Sequence, residues 1–201
     1  MGKFSFIPTC LSGVYIVEPR VYEDARGYFM ETYNEEFIPY LHHLDGTPCT
    51  FVQDNESQSV RGVLRGMHMQ LTQPQGKLVR VIEGEVYDAV TDVRPGSPTF
   101  GKSLGVYLSR ENRRQLLVPE GLLHGFLVTS DTARFAYKCT RPYAPQDEVH
   151  VRWDDPDMGI DWPIRPEEVI LSAKDEAAIS YRQCLTLIAD SAEKTAVQSA
   201  Q

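Results

Sequence analysis

Between Ser57 and Ile82 the sequence SQSVRGVLRGMHMQLTQPQGKLVRVI carries Arg61, Arg65, His68, Lys77 and Arg80 and no aspartate or glutamate, in a chain of 201 residues with a formal net charge of -8. Converging arginines and lysines offer charge-assisted hydrogen bonds to phosphate or carboxylate, so this local reversal of sign marks a candidate site for a small anionic ligand. A solvated face that merely lacks acids fits the same composition equally well. His68 adds a group able to exchange a proton near neutral pH. Further along, Tyr137 and Asp175 suit general acid and base work, provided the fold brings them to His68. Each also has a plainer reading: a hydrogen-bonded core histidine, a packing aromatic and the N3 carboxylate of a helix cap.

Other chemistries are poorly served. A cupin-type metal centre needs two histidines spaced HxH, whereas GMHMQ sets Met67 and Met69 around a single His68, so no metal is expected. No serine lies in a nucleophile elbow, and Cys10, Cys49, Cys139 and Cys184 form no CxxC and have no adjacent basic partner, which makes them free thiols. With 28 acidic against 20 basic side chains the chain is no general nucleic-acid binder, although a nucleotide in a local basic pocket stays open. No run is long and apolar enough to span a bilayer, and MGKFSFIPTC lacks the order of a signal peptide. A cytoplasmic location without a membrane partner is therefore expected.

These side chains need elements to position them. The length fits one domain, residues 1–201, with a helical segment from about 172 that opens on the capping sequence Ser172-Ala-Lys-Asp175. GVYIVE at 13–18 reads as a strand leading through a turn at Arg26–Gly27 into YFMET, and NEEFIPYLHHL as a short helix capped by Asn34 and interrupted by Pro39. Short apolar runs predict strands at 50–53, 62–68, 77–82, 85–92, 103–108, 115–118, 124–129, 133–139 and 148–153. Such spacing without intervening long helices favours an all-β sandwich or jelly-roll barrel over a βαβ sheet. His68, Lys77, His124 and Tyr137 are polar residues inside apolar runs and hence candidates to line a cavity. Strict alternation sets Arg65 and His68 on opposite faces, and Gly66 between them permits a bulge that re-aims one. In DDPDMGIDWP the carboxylates are expected to satisfy turn backbone, with Trp153 and Trp162 packing behind; the last dozen residues read as a fraying tail.

The strings FVQDNESQS, GVLRGMHMQ, QGKLVRVIEGEVYDAVTDVR, GSPTFGK, LLVPEGLLHGFLV, YKCTRPYAPQDE, WDDPDMGIDWP and LSAKD, in order from about residue 13 to 180, closely resemble the dTDP-4-dehydrorhamnose 3,5-epimerase family. The resemblance implies an all-β, cupin-like jelly-roll barrel with short flanking helices, metal-free, cofactor-independent and assembled as a homodimer, acting on a dTDP-4-keto-6-deoxy sugar. It implies that His68 is the base, Asp175 the carboxylate that orients and charges it, Tyr137 the acid on the opposite face and Lys77 the cation at the C4 oxygen. Arg26, Arg65 and His124 would contact the diphosphate or nearby sugar oxygens. Gln53, Asn55 and Glu31 would line the thymidine end or the pocket, with Glu148 and Lys174 at ligand-contact positions and Tyr143 influencing how the sugar sits.

Elementary chemistry agrees with such a set. C3 and C5 both flank the C4 ketone, so a carbanion at either is delocalised onto oxygen, where a nearby cation stabilises the charge as it develops. Inversion requires the proton to return from the other face, hence a second group. Two further readings share the resemblance: a 3-monoepimerase, and a binding protein that keeps Arg65, Lys77 and Gln53 without needing His68, Tyr137 and Asp175 together.

Overall fold

The computed structural model describes residues 2–199. In chain order the strands are β1 (Phe4–Pro8), β2 (Tyr15–Pro19), β3 (Val21–Asp24), β4 (Gly27–Met30), β5 (Gln53–Val60), β6 (Leu64–Gln70), β7 (Lys77–Glu83), β8 (Glu85–Asp92), β9 (Ser103–Ser109), β10 (Gln115–Val118), β11 (Leu122–Val128), β12 (Thr132–Cys139) and β13 (Glu148–His150). Two helices follow, α1 (Ala173–Glu176) and α2 (Tyr181–Ser199). The strands form a six-stranded sheet ordered β1-β2-β10-β7-β12-β5, a five-stranded sheet ordered β13-β6-β11-β8-β9 and the hairpin β3-β4. All these strand pairings are antiparallel.

The expected barrel is not formed. Both large sheets are open, ending at β1 and β5 in one and at β13 and β9 in the other, so the all-β, cupin-like architecture is a two-sheet sandwich. Inward and outward alternation is the same in a sandwich and a barrel. Closure depends on hydrogen bonds between end strands, which the apolar pattern does not encode.

The core between the sheets joins Val79, Val81, Leu116, Val118 and Phe135 of the six-stranded sheet to Val86, Val90, Leu108, Phe126 and Val128 of the other. Full burial of each such side chain contributes roughly 1.5–3 kcal/mol. Outer faces are covered too. Met67, Met69, Leu123 and Val151 pack with Met158, Tyr181 and Cys184, so α2 lies behind the five-stranded sheet. Phe37 and Leu41 pack with Phe4, Val17 and Leu78 behind the six-stranded sheet. Because β11 is buried on both faces, its sequence LLHGFLV is a continuous apolar run rather than an alternating one.

Several local readings hold, with adjusted bounds. Asn34 caps a 3-10 helix, Glu35–Tyr40, by accepting from the Glu36 N–H, and the four cysteines are free thiols. Asp155 accepts from the backbone N–H groups of Asp157 and Tyr181, while Trp153 and Trp162 meet edge to face at 6.4 Å. The strand predicted at 50–53 instead begins at Gln53 and runs to Val60, as an edge strand paired only with β12. Its sequence QDNESQSV has few apolar side chains because one neighbour and one half-covered face give it little to bury. The helix opened by Ser172 lasts only to Glu176, and the expected fraying tail is helical to Ser199, with residues 200 and 201 outside the described residues.

Candidate active site

The cleft lies between the sheets at the edge where β5 and β12 of one face β6 and β13 of the other, and it encloses a cavity of about 500 Å³. Parallel bridges Val63–Ile170 and Val151–Ile179 tie the 170–179 segment across this edge, which carries Asp175 to the cleft.

β6 supplies two of the expected groups through a bulge. His68 pairs with His124 of β11 but Arg65 with Phe126, so four residues of β6 span three of β11, and both Arg65 and His68 reach the cavity. Gly66 makes this possible. Its φ is +113°, and a Cβ there would meet the His124 carbonyl oxygen at 2.6 Å and Gly125 Cα at 2.7 Å. The Arg65 guanidinium is exposed and, among the described residues, donates only to the neutral Ser59 Oγ, at 3.0 and 3.2 Å, which leaves it open to an anion.

His68 is half-buried, and its Nδ1 is shut from water with no hydrogen-bond partner. Burial holds its pKa well below the ordinary histidine value, and neighbouring Lys77, His124 and His150 push the same way against Glu148. Lys77, on β7, is buried, which lowers its own pKa, and its ammonium makes no ion pair among the described residues. Tyr137 lines the opposite wall from β12, with a phenol pushed up in pKa chiefly by burial.

Asp175 is in the cleft but is not bonded to His68. Its Oδ1 accepts from His150 Nδ1 at 2.9 Å and its Oδ2 from Ser172 Oγ at 2.7 Å. The other nitrogen of His150, Nε2, reaches Glu148 Oε2 at 2.9 Å. Bonds to Asp175 and Glu148 outweigh burial and raise the His150 pKa to about 9. Burial opposes ionisation of both carboxylates, yet the bonds from His150 leave each below its usual range, with Ser172 helping at Asp175 and Tyr143 and Lys174 at Glu148. One ligand atom from each of His68, His150 and Asp175 lies within 4.8 Å of the others. An imidazole with both nitrogens on carboxylates is a doubly donating imidazolium, however, and has no lone pair for a metal.

The remaining predicted residues divide. Gln53 and Asn55 line the cavity from β5, bonded to each other at 2.9 Å, and Gln53 accepts from the Tyr143 N–H at 2.8 Å. Tyr143 donates its hydroxyl to Glu148 at 2.8 Å, and Lys174 Nζ reaches Glu148 at 3.0 Å, which closes the rim. His124 is buried and engages both oxygens of Asp88 at 3.0 Å without lining the cavity. Arg26 and Glu31 are not at the cleft. Arg26 caps the β3–β4 turn on Asp24 at 2.6 Å, and Glu31 pairs with Lys3 at 2.8 Å and Asn34 at 2.7 Å. Sequence reasoning missed His150 and Asp88. The first stands at period two from Glu148 in EVHV, and the second is an acid within the apolar run EVYDAV, which are the signals available for each.

A cupin-like sandwich with imidazole and phenol groups on facing walls of one cleft belongs to the class of proton-transferring isomerases. The chain is a member of the dTDP-4-dehydrorhamnose 3,5-epimerase family, whose profile matches residues 8–183. It is 53% identical over 176 residues to the dTDP-4-dehydrorhamnose 3,5-epimerase of Methanothermobacter thermautotrophicus, covering 87% of this chain and 93% of the relative. Among solved structures, the dTDP-6-deoxy-D-glucose-3,5-epimerase of Legionella pneumophila in complex with dTDP-4-keto-L-rhamnose superposes with a TM-score of 0.82 at 47% identity, covering 92% of this chain and 94% of that one. A 3'-monoepimerase from Streptomyces bikiniensis in complex with dTDP-quinovose superposes with a TM-score of 0.80 at 34% identity, covering 96% and 98%.

Proposed function

We infer that this protein is a dTDP-4-dehydrorhamnose 3,5-epimerase that converts dTDP-4-dehydro-6-deoxy-D-glucose to dTDP-4-dehydro-L-rhamnose without a cofactor. The observation that carries the mechanism is the placement of His68 and Tyr137 on different sheets, lining one cavity. His68, neutral because buried beside Lys77, removes a proton next to the C4 ketone. Lys77 stabilises the enolate oxygen as its charge develops. Tyr137, kept protonated by its raised pKa, returns a proton from the other wall. Substrate and product have the same oxidation state, so the reaction requires no electron acceptor.

Arg65 holds the diphosphate; Gln53, Asn55 and Tyr143 border the nucleotide and sugar, with Glu148 and Lys174 setting the rim. His124, clamped by Asp88, supports the floor beneath His68. Arg26 and Glu31 reach a cleft only by way of a second copy. The hairpin that bears Arg26 exposes Tyr22, Tyr28 and Phe29, and a homodimer in which it crosses to the partner explains both features. No helix among the described residues is long and apolar enough to cross a membrane, and the cytoplasm is the proposed location.

Incubation with dTDP-4-keto-6-deoxyglucose in deuterium oxide, followed by proton NMR, tests the reading. Exchange at both C3 and C5 with formation of the L-rhamno product supports it. Exchange at C3 alone would make the protein a monoepimerase, and binding without exchange would make it a nucleotide-sugar binding protein.

A further inference from the structure

The chain between β12 and β13, residues 140–147, belongs to no strand or helix, yet it carries Tyr143 on the wall of the cavity. Glutamine side chains stand in for a sheet ladder there. Gln75 Nε2 donates to the Arg141 carbonyl at 2.8 Å and Gln70 Nε2 to the Pro142 carbonyl at 3.3 Å. The Tyr143 N–H donates to Gln53 Oε1 and the Ala144 N–H to Gln70 Oε1, each at 2.8 Å. Gln70 is the buried member, 3% exposed, and its Nε2 also donates to the Gln73 carbonyl at 2.7 Å. Only one orientation of its carboxamide achieves this, because a flip would set the NH2 against the Ala144 N–H and the oxygen against two carbonyls.

We propose that Gln70 is a positioning residue for Tyr143 and, through it, for the sugar ring, so that it sets how proton removal divides between C3 and C5. The inference rests on the assignment of His68 as the base in the proposed function. Gln70 grips the residue before Tyr143 and the residue after it, which fixes the direction of the Tyr143 Cα–Cβ bond. The phenol's own bonds, to Glu148 and Lys174, hold it less firmly, since Tyr143 is 47% exposed and water competes for them.

Clamp and base share an element. Gln70 stands two residues beyond His68 on β6, a spacing that puts both on one face of a strand. A single strand therefore fixes the base relative to the Tyr143 wall. C3 and C5 lie on either side of C4, so one base serves both only while the ring is held between them. A ring displaced along the cleft brings one carbon nearer as it takes the other away, and a misplacement of about 1 Å changes a rate by up to about 10²-fold.

The test is the initial rate of deuterium incorporation at C3 and at C5 of dTDP-4-keto-6-deoxyglucose in Gln70→Met, which keeps the volume, and in Gln70→Ala, which leaves room for water. In whichever folds, the ratio of the two rates is expected to depart from the parent's by about 5-fold or more. Tyr143→Ala should shift the ratio as well, and adding the Gln70 substitution to it should then move the ratio by less than about 2-fold, since residues that act through one another are not additive. A glutamine that only supports the fold would lower both rates together. An unmoved ratio in a folded Gln70 variant, or an equal shift with and without Tyr143, overturns the inference. Hydrogen exchange of the Ala144 amide in the free protein needs no turnover. It should be slow in the parent and about 10-fold faster in the Gln70 variants, as expected for one lost hydrogen bond, and free exchange in the parent also overturns the inference. A parent that labilises neither proton defeats the epimerase reading instead, and the amide measurement then decides the clamp alone.

Discussion

Two imidazole–carboxylate sites flank the same histidine and differ in almost every physical respect. His124 and Asp88 are 4% and 0% exposed, bonded only to each other through one nitrogen and two oxygens, and packed beneath Phe135. His150 sits at the cleft with one carboxylate on each nitrogen, and those carboxylates also serve Ser172, Tyr143 and Lys174. Among the described residues the first pair has no other side-chain partner, and it is a fixed strut. The second shares its hydrogen bonds with exposed side chains. The β11 side of His68 is thus sealed and the β13 side borders solvent-reaching side chains.

The comparison yields expectations of decreasing size. Replacement of His68 by Asn should lower kcat about 10²–10⁴-fold, the usual value of a positioned base, while leaving the thermal midpoint close to that of the parent. A comparable loss in stability would mean that His68 belongs with the struts. Asp88→Ala leaves buried His124 without an acceptor and is expected to cost about 1–3 kcal/mol in urea unfolding. Lys174→Ala, at the exposed rim, should leave the urea midpoint close to that of the parent. A reversal of these two would erase the distinction between the sealed and the solvent-bordering sides. Arg65→Ala, which touches neither pair, should raise KM about 10-fold or more with little change in kcat, since it removes a charge-assisted contact that substrate and transition state share.

The flanking sites should also part company with pH. The folded pKa of His150, about 9, exceeds its ordinary 6.5. Stability from its ion pairs is therefore complete below about pH 6.5 and lost as pH rises through 9. Its size is at most about 3 kcal/mol, and the shared carboxylates are not counted again. Unfolding midpoints taken at pH 6 and 9.5 should differ for the parent and differ much less for His150→Asn.

Much of the framework is legible in the residues. Alternation on β12 sets Phe135, Tyr137 and Cys139 on one face, and Gly66 marks the bulge that brings Arg65 and His68 into one cavity. Edges are harder. β5 buries little and so lacks an apolar signature, while the difference between sandwich and barrel lies in strand ends that never meet. Within the site, a side chain's chemistry is visible from its type but its partner is not. Asp175 was expected on His68 and is taken by His150, whose strand approaches only through long-range pairing with β6. Arg26 and Glu31 show the same limit, since resemblance ties them to the ligand while their own chain holds them at a distance.

The central claim is that His68 and Tyr137 move substrate protons from facing walls of one cavity, and proton NMR of dTDP-4-keto-6-deoxyglucose in deuterium oxide reads it directly. The parent should incorporate deuterium at C3 and C5 and form the L-rhamno product, and folded His68→Asn should do neither. Exchange at the parental rate in folded His68→Asn would contradict the account.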